Sequence, residues 1–183
     1  MNDSYHGMER CLDLATPLAA VIVALDNPDW QVRLAAIVAL GDRRDPSSLG
    51  SLVALLAHEN KEPLYSQQAD LGGIPAGSPH GHTPRFPEGT PEATQTAWAR
   101  RGRLKQAACL ALGQIGVADR SALELLHRYA IDQAEDYAVR AAANKALGQL
   151  RHPSSRPVLE GAIADPEWCT RTEAVKALEH LTA

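Results

Sequence analysis

A chain of 183 residues is long enough for one domain with a hydrophobic core. Hydrophobic residues make up 45% and aromatics only 4%, so the core must be aliphatic and rich in alanine, which favours closely packed helices. A net charge of -4 supplies no basic field to attract phosphates, and this disfavours a general nucleic-acid binder.

The three cysteines, Cys11, Cys109 and Cys169, are far apart and form no CxxC pair. That argues against a disulfide scaffold and a structural zinc site, and a reducing cytoplasmic setting is expected. The first apolar run, "PLAAVIVAL" from Pro17, is too short to span a bilayer, and the acids Asp3, Glu9 and Asp13 before it make a poor secretory signal.

In chain order, Thr16 is the predicted cap of a first helix, with Pro17 at its first position. Asn27 and Pro28 open a second helix that carries "VRLAAIVALG". "SSLGSLVALLA" follows Pro46 as a third. Residues 59–89 then form a Pro/Gly-punctuated insertion that cannot be regular helix or strand for long. Thr90 and Pro91 open one long helix with a bend expected at Gly102. Asp119 caps "DRSALELLHRYA", and the helix with "VRAAANKALG" comes next. "SSRPVLEGAIA" follows Pro153, and Asp165 with Pro166 opens the last helix.

Four of these helices share a register. Each has a basic anchor: Arg33, Lys105, Arg140 and Arg171. Three positions later stand Ala36, Ala108, Ala143 and Ala174. Six later stand Ala39, Ala111, Ala146 and Ala177, and seven later Leu40, Leu112, Leu147 and Leu178. At about 100° per residue these offsets fall on one helix face. Two alanines on a buried stripe call for close approach by another helix, and the leucine fills the gap beside them. Neither helix of such a pair buries its face alone, so stacking must do it.

The pattern Val-Arg…Ala…Ala-Leu-Gly, a short turn and an apolar helix resembles the HEAT repeat, in the short bacterial form also found in phycobilisome bilin-lyase subunits. The resemblance covers residues 17–57 and 97–183. It implies an all-α fold: a right-handed α-α superhelix of about four helical pairs, a single domain over 1–183, with the insertion inside the second pair. It also implies a polar ladder between turn acids and anchors, with candidates Asp26–Arg33, Asp132–Arg140 and Asp165–Arg171. Lys105 has no matching Asp, so the ladder is expected to break there.

Catalytic readings find little support. Deoxyhypusine hydroxylase, of similar repeats, binds two irons through His-Glu pairs just after the arginine, and no such pair stands after Arg33, Arg140 or Arg171. His80 and His82 in the insertion, with Asp70 nearby, lack a third ligand at fixed spacing, so no metal and no cofactor are expected. Cys109 is read as a packed small residue. Cys169, beside Trp168 at a helix start, is the better thiol candidate. "RRGRLK", Arg100 to Lys105, is read as a solvated helix face plus the repeat's own cation.

The expected function is non-catalytic: a scaffold for a protein or peptide partner, with no nucleic acid and no membrane, and with oligomeric state left open. The alternative is an accessory role among bilin-lyase-like, tetrapyrrole-handling proteins. Offsets +1 and +5 lie well away from the Ala/Leu stripe. They place Leu34, Val38, Gln106, Leu110, Lys145 and Lys176 along the second helices, which line the concave side in this family. The insertion's Leu71, Ile74, His80, His82 and Phe86 are expected to contribute as well.

Overall fold

Short polar side chains set several of the helix starts, and the computed structural model shows which ones. It describes residue 12, residues 14–58 and residues 89–182. Within these there are eight α-helices and no strand: α1 Leu18–Val23, α2 Trp30–Arg43, α3 Leu49–His58, α4 Glu92–Ile115, α5 Arg120–Ile131, α6 Tyr137–Leu150, α7 Arg156–Ala162 and α8 Trp168–Thr182. The carboxylates of Asp29, Asp119 and Asp136 accept the free N–H groups that open α2, α5 and α6. Asn27, the expected cap of α2, instead accepts from Asp29 N. α1 and α4 start after Pro17 and Pro91 with no side-chain cap, so Thr16 and Thr90 stand one position too early. α4 runs unbroken through Gly102.

The turns repeat as the helices do. Arg44 and Arg151 end α2 and α6 in the left-handed conformation, at φ 52 and φ 50. Asp45-Pro46-Ser47-Ser48 and His152-Pro153-Ser154-Ser155 then form matching 3-10 turns, capped by the Asp45 and His152 side chains.

The second helices α2, α4, α6 and α8 pack on one another in chain order. The first helices α3, α5 and α7 pack in parallel succession, each against the second helix that follows it. The result is two layers with the core between them. Ala36, Ala108, Ala143, Ala174, Leu40, Leu112 and Leu147 are all fully buried, as the register predicts. Leu178, on the last helix, is half-buried. One polar side chain breaks the pattern. Asn144, at the offset of Ile37 and Cys109, is fully buried and its amide has no partner among the described residues, a cost of about 1–3 kcal/mol.

Glycine sets the spacing of the second layer. A Cβ on Gly41, Gly113 or Gly148 would lie 3.0, 2.8 or 2.7 Å from the Cα of Ala111, Ala146 or Ala177 on the next second helix. Each unit's glycine therefore receives the following unit's alanine. Gly148→Ala should destabilise the fold, because overpacking of about 1–3 kcal/mol outweighs a helix-propensity gain of about 1 kcal/mol. Gly50 in α3 has nothing within 4 Å of such a Cβ. Gly50→Ala should thus stabilise by up to about 1 kcal/mol. Urea denaturation of both variants checks this, and shifts of the same sign would show that glycine does not fix the helix spacing.

Candidate functional site

The second helices are held in register by buried ion pairs that cross from one unit to the next. Lys105 Nζ in α4 lies 2.9 Å from Glu135 Oε2, in the turn before α6, with both side chains 3% exposed. Arg140 in α6 donates through Nε and Nη2 to Asp165 Oδ2 and Oδ1 at 2.8 and 3.0 Å, in the turn before α8. Its Nη1 donates to the Glu135 carbonyl of its own turn. These contacts carry the ladder across units: Glu135 and Asp165 each reach the anchor of the preceding unit, and Lys105 is a full member rather than a break. Arg171 meets Asp165 only at the backbone, where Nη1 donates to the carbonyls of Asp165 and Pro166 at 2.7 and 2.8 Å. Arg33 does the same to Asn27 and Pro28. A buried pair of this kind does more for geometry than for net stability. It fixes where the outer faces of α4, α6 and α8 lie.

On those faces the members of the expected row differ in exposure. Leu34 and Leu110 are half-buried and pack against the core. Val38 is 48% exposed and is the row's open apolar member. Gln106 is half-buried. Lys145 is exposed, and so is Lys176, whose Nζ lies 2.8 Å from Glu173 Oε1. The surface thus runs from apolar on α2 to basic on α6 and α8. Trp168, Val175 and Ile163 add exposed apolar area on the last unit.

Burial pushes both described thiols up. Cys109 is fully buried, and burial pushes its thiol well above the ordinary range. Nearby Glu135 pushes the same way and Lys105 opposes it. Cys169 is also raised, chiefly by burial, although hydrogen bonding to Thr170 works against this. A start-of-helix position therefore does not activate Cys169, contrary to the sequence expectation. Tyr129, beside Cys109, is pushed up to about 12 by burial, and its hydroxyl donates to the Leu56 carbonyl at 2.8 Å. "RRGRLK" is not one surface: Arg100 and Arg103 are exposed, while Gly102, Leu104 and Lys105 are buried.

Leu71, Ile74, His80, His82, Phe86 and Cys11 lie outside the described residues. Among the described residues, no group of three or more His, Cys, Asp or Glu is arranged to hold a metal ion, and no helix is long and apolar enough to cross a membrane. Sequence reasoning missed Glu135 as the partner of Lys105. The available signal was an acid five or six residues before the anchors of units three and four, Glu135 and Asp165.

Comparison with known proteins agrees with the repeat. Residues 94–179 match the family model for HEAT repeats. Over 97 residues, 49% of this chain, the sequence is 34% identical to the bilin biosynthesis protein PecF of Mastigocladus laminosus. The match covers 45% of that protein, so the chain spans less than half the length of this relative.

Proposed function

We propose that this chain, whose residues 94–179 are HEAT repeats, is an accessory protein of bilin handling that works by binding rather than by covalent catalysis. The 34% identity to a bilin biosynthesis protein over half of the chain carries this reading. The two helix layers then amount to a short right-handed α-solenoid, with α2, α4, α6 and α8 lining its concave side. An open-chain tetrapyrrole is a flat apolar body with acidic side chains. A face that runs from Val38 past Leu110 to Lys145 and Lys176 offers apolar contact at one end and cations at the other. The high thiol pKa of Cys109 and Cys169 supports binding without a thioether bond to either, because the thiolate is the nucleophilic form.

Titration with biliverdin, followed by visible circular dichroism, tests the proposal. A bound bilin is held in one chiral conformation and should give an induced signal. Denaturation should then release all of the pigment. A silent titration rejects the reading, and pigment retained covalently on Cys109 or Cys169 rejects its non-catalytic part. The second reading, an adaptor for a protein or peptide, is favoured by the exposed Trp168, Val175 and Ile163 on the last unit.

A further inference from the structure

The repeat allows an internal comparison at the cation near the start of each second helix. Arg140 uses both sides of its guanidinium. Nη1 caps its own turn, while Nε and Nη2 grip the carboxylate of the following turn in parallel. Lys105 reaches the following turn's Glu135. Arg33 repeats the first half of this arrangement only. Its Nη1 donates to the Asn27 and Pro28 carbonyls at 2.8 and 3.4 Å. Its Nε and Nη2 meet no carboxylate among the described residues, and neither is sealed from solvent. Asp29, the nearest acid in sequence, is engaged in capping α2 through Gln31 N.

The cause lies in the second unit. Units three and four have a turn before their second helix, and that turn supplies the acid. Unit two has continuous helix there: α4 begins thirteen residues before Lys105, whereas α6 and α8 begin three before their anchors. The positions that would carry the acid are Ala99 and Arg100. The Arg100 guanidinium carbon sits 5.7 Å from the centre of the Trp30 ring, and Trp30 is one helical turn before Arg33. Where its counterparts pair one cation with one carboxylate, this rung brings a second cation and an aromatic ring. A planar guanidinium with two parallel donors is matched by a carboxylate, and such charge-assisted pairs are about twice as strong as neutral hydrogen bonds.

We propose that Arg33, Arg100 and Trp30 form a subsite for the carboxylate of a small molecule with a flat unsaturated body. The identity of that ligand rests on the bilin reading, under which it is a propionate of an open-chain tetrapyrrole. The carboxylate site itself does not rest on it.

Succinate and biliverdin are the probes. In succinate, against sodium chloride of equal ionic strength, the protein should melt about 2–4 °C higher. Arg100→Glu places a carboxylate on an exposed position at this rung. That variant should melt above the parent without succinate and gain nothing from it. Arg33→Gln should lose the succinate response. No response in the parent overturns the subsite, as does an equal response in Arg100→Glu. A response that appears only once Glu59, Glu62, Asp70 and Glu88 are made amides also overturns it, because the chain's own carboxylates then fill the rung. Biliverdin should bind about tenfold more tightly than its dimethyl ester, and Arg100→Glu should remove the preference. Equal affinity for acid and ester overturns the assignment of a bilin propionate to the subsite, and a lost succinate response overturns the subsite itself. Binding of neither, with the succinate response intact, supports the carboxylate subsite and rejects the bilin reading.

Discussion

Asp165→Ala should cost about 3–5 kcal/mol of folding stability, because it strands a buried charge. The Asp165 carboxylate accepts from Arg140 Nε and Nη2, from Gln133 Nε2 at 3.0 Å and from Glu167 N at 2.8 Å. Both charged side chains of the pair are 1% exposed. Without the carboxylate, the guanidinium keeps its bond to the Glu135 carbonyl but loses the two-point ion pair that offsets its desolvation, and water cannot reach it to compensate. Replacing both partners, Arg140→Met with Asp165→Leu, should recover much of the loss, since neither charge is then buried. Glu124→Ala is the control. Arg120 and Glu124 pair at 2.8 Å with side chains 91% and 64% exposed, and its loss should leave the denaturation midpoint in place. Guanidinium titration reads all three variants. A loss in Asp165→Ala below about 1 kcal/mol, the range of surface pairs, would show that the pair does not join the last two units.

What the sequence made legible follows from periodicity. A helix face repeats every 3.6 residues, so the Ala and Leu columns marked four buried faces and the order in which they stack. The long α4 and the cap at Asp119 were equally plain. Partnership between units was not. Each turn holds several acids, such as Asp132, Glu135 and Asp136, and spacing along one chain does not tell which of them faces the helix of the preceding unit. The degree of burial of Leu34 and Leu110 was not legible for a related reason. An angle on a helical wheel does not say what packs beside that position. The thiol of Cys169 illustrates the same limit. A helix start favours thiolate, but burial by surrounding elements outweighs it, and burial is not written at any one position. Arg33 could not be distinguished from Arg140 by sequence, since both follow Val and precede Ala at the same offset. The difference lies in the length of α4.

Leu147→Ala is expected to lose about 2–5 kcal/mol, the range for a buried leucine whose surroundings cannot close over the gap. Leu147 is fully buried in α6, the helix that packs against α4, α5 and α8 at once. Beside it on the same helix face stand Ala143 and Ala146, which have no side chain long enough to fill a leucine-sized void, and the Gly113–Ala146 and Gly148–Ala177 contacts already hold the backbones at minimum separation. The helices cannot move closer, so the cavity stays. Leu178 holds the same column in α8 but is half-buried, with no described helix after it. Leu178→Ala should therefore lose clearly less. Because stability in stacked repeats is close to a sum of unit and interface contributions, the Leu147 variant should also broaden the transition, as units on either side of α6 uncouple. Denaturant titrations followed by helical circular dichroism give both quantities. A loss under about 0.5 kcal/mol, typical of surface positions, or equal losses at Leu147 and Leu178, would mean that the leucine column is not the shared core of the stacked units.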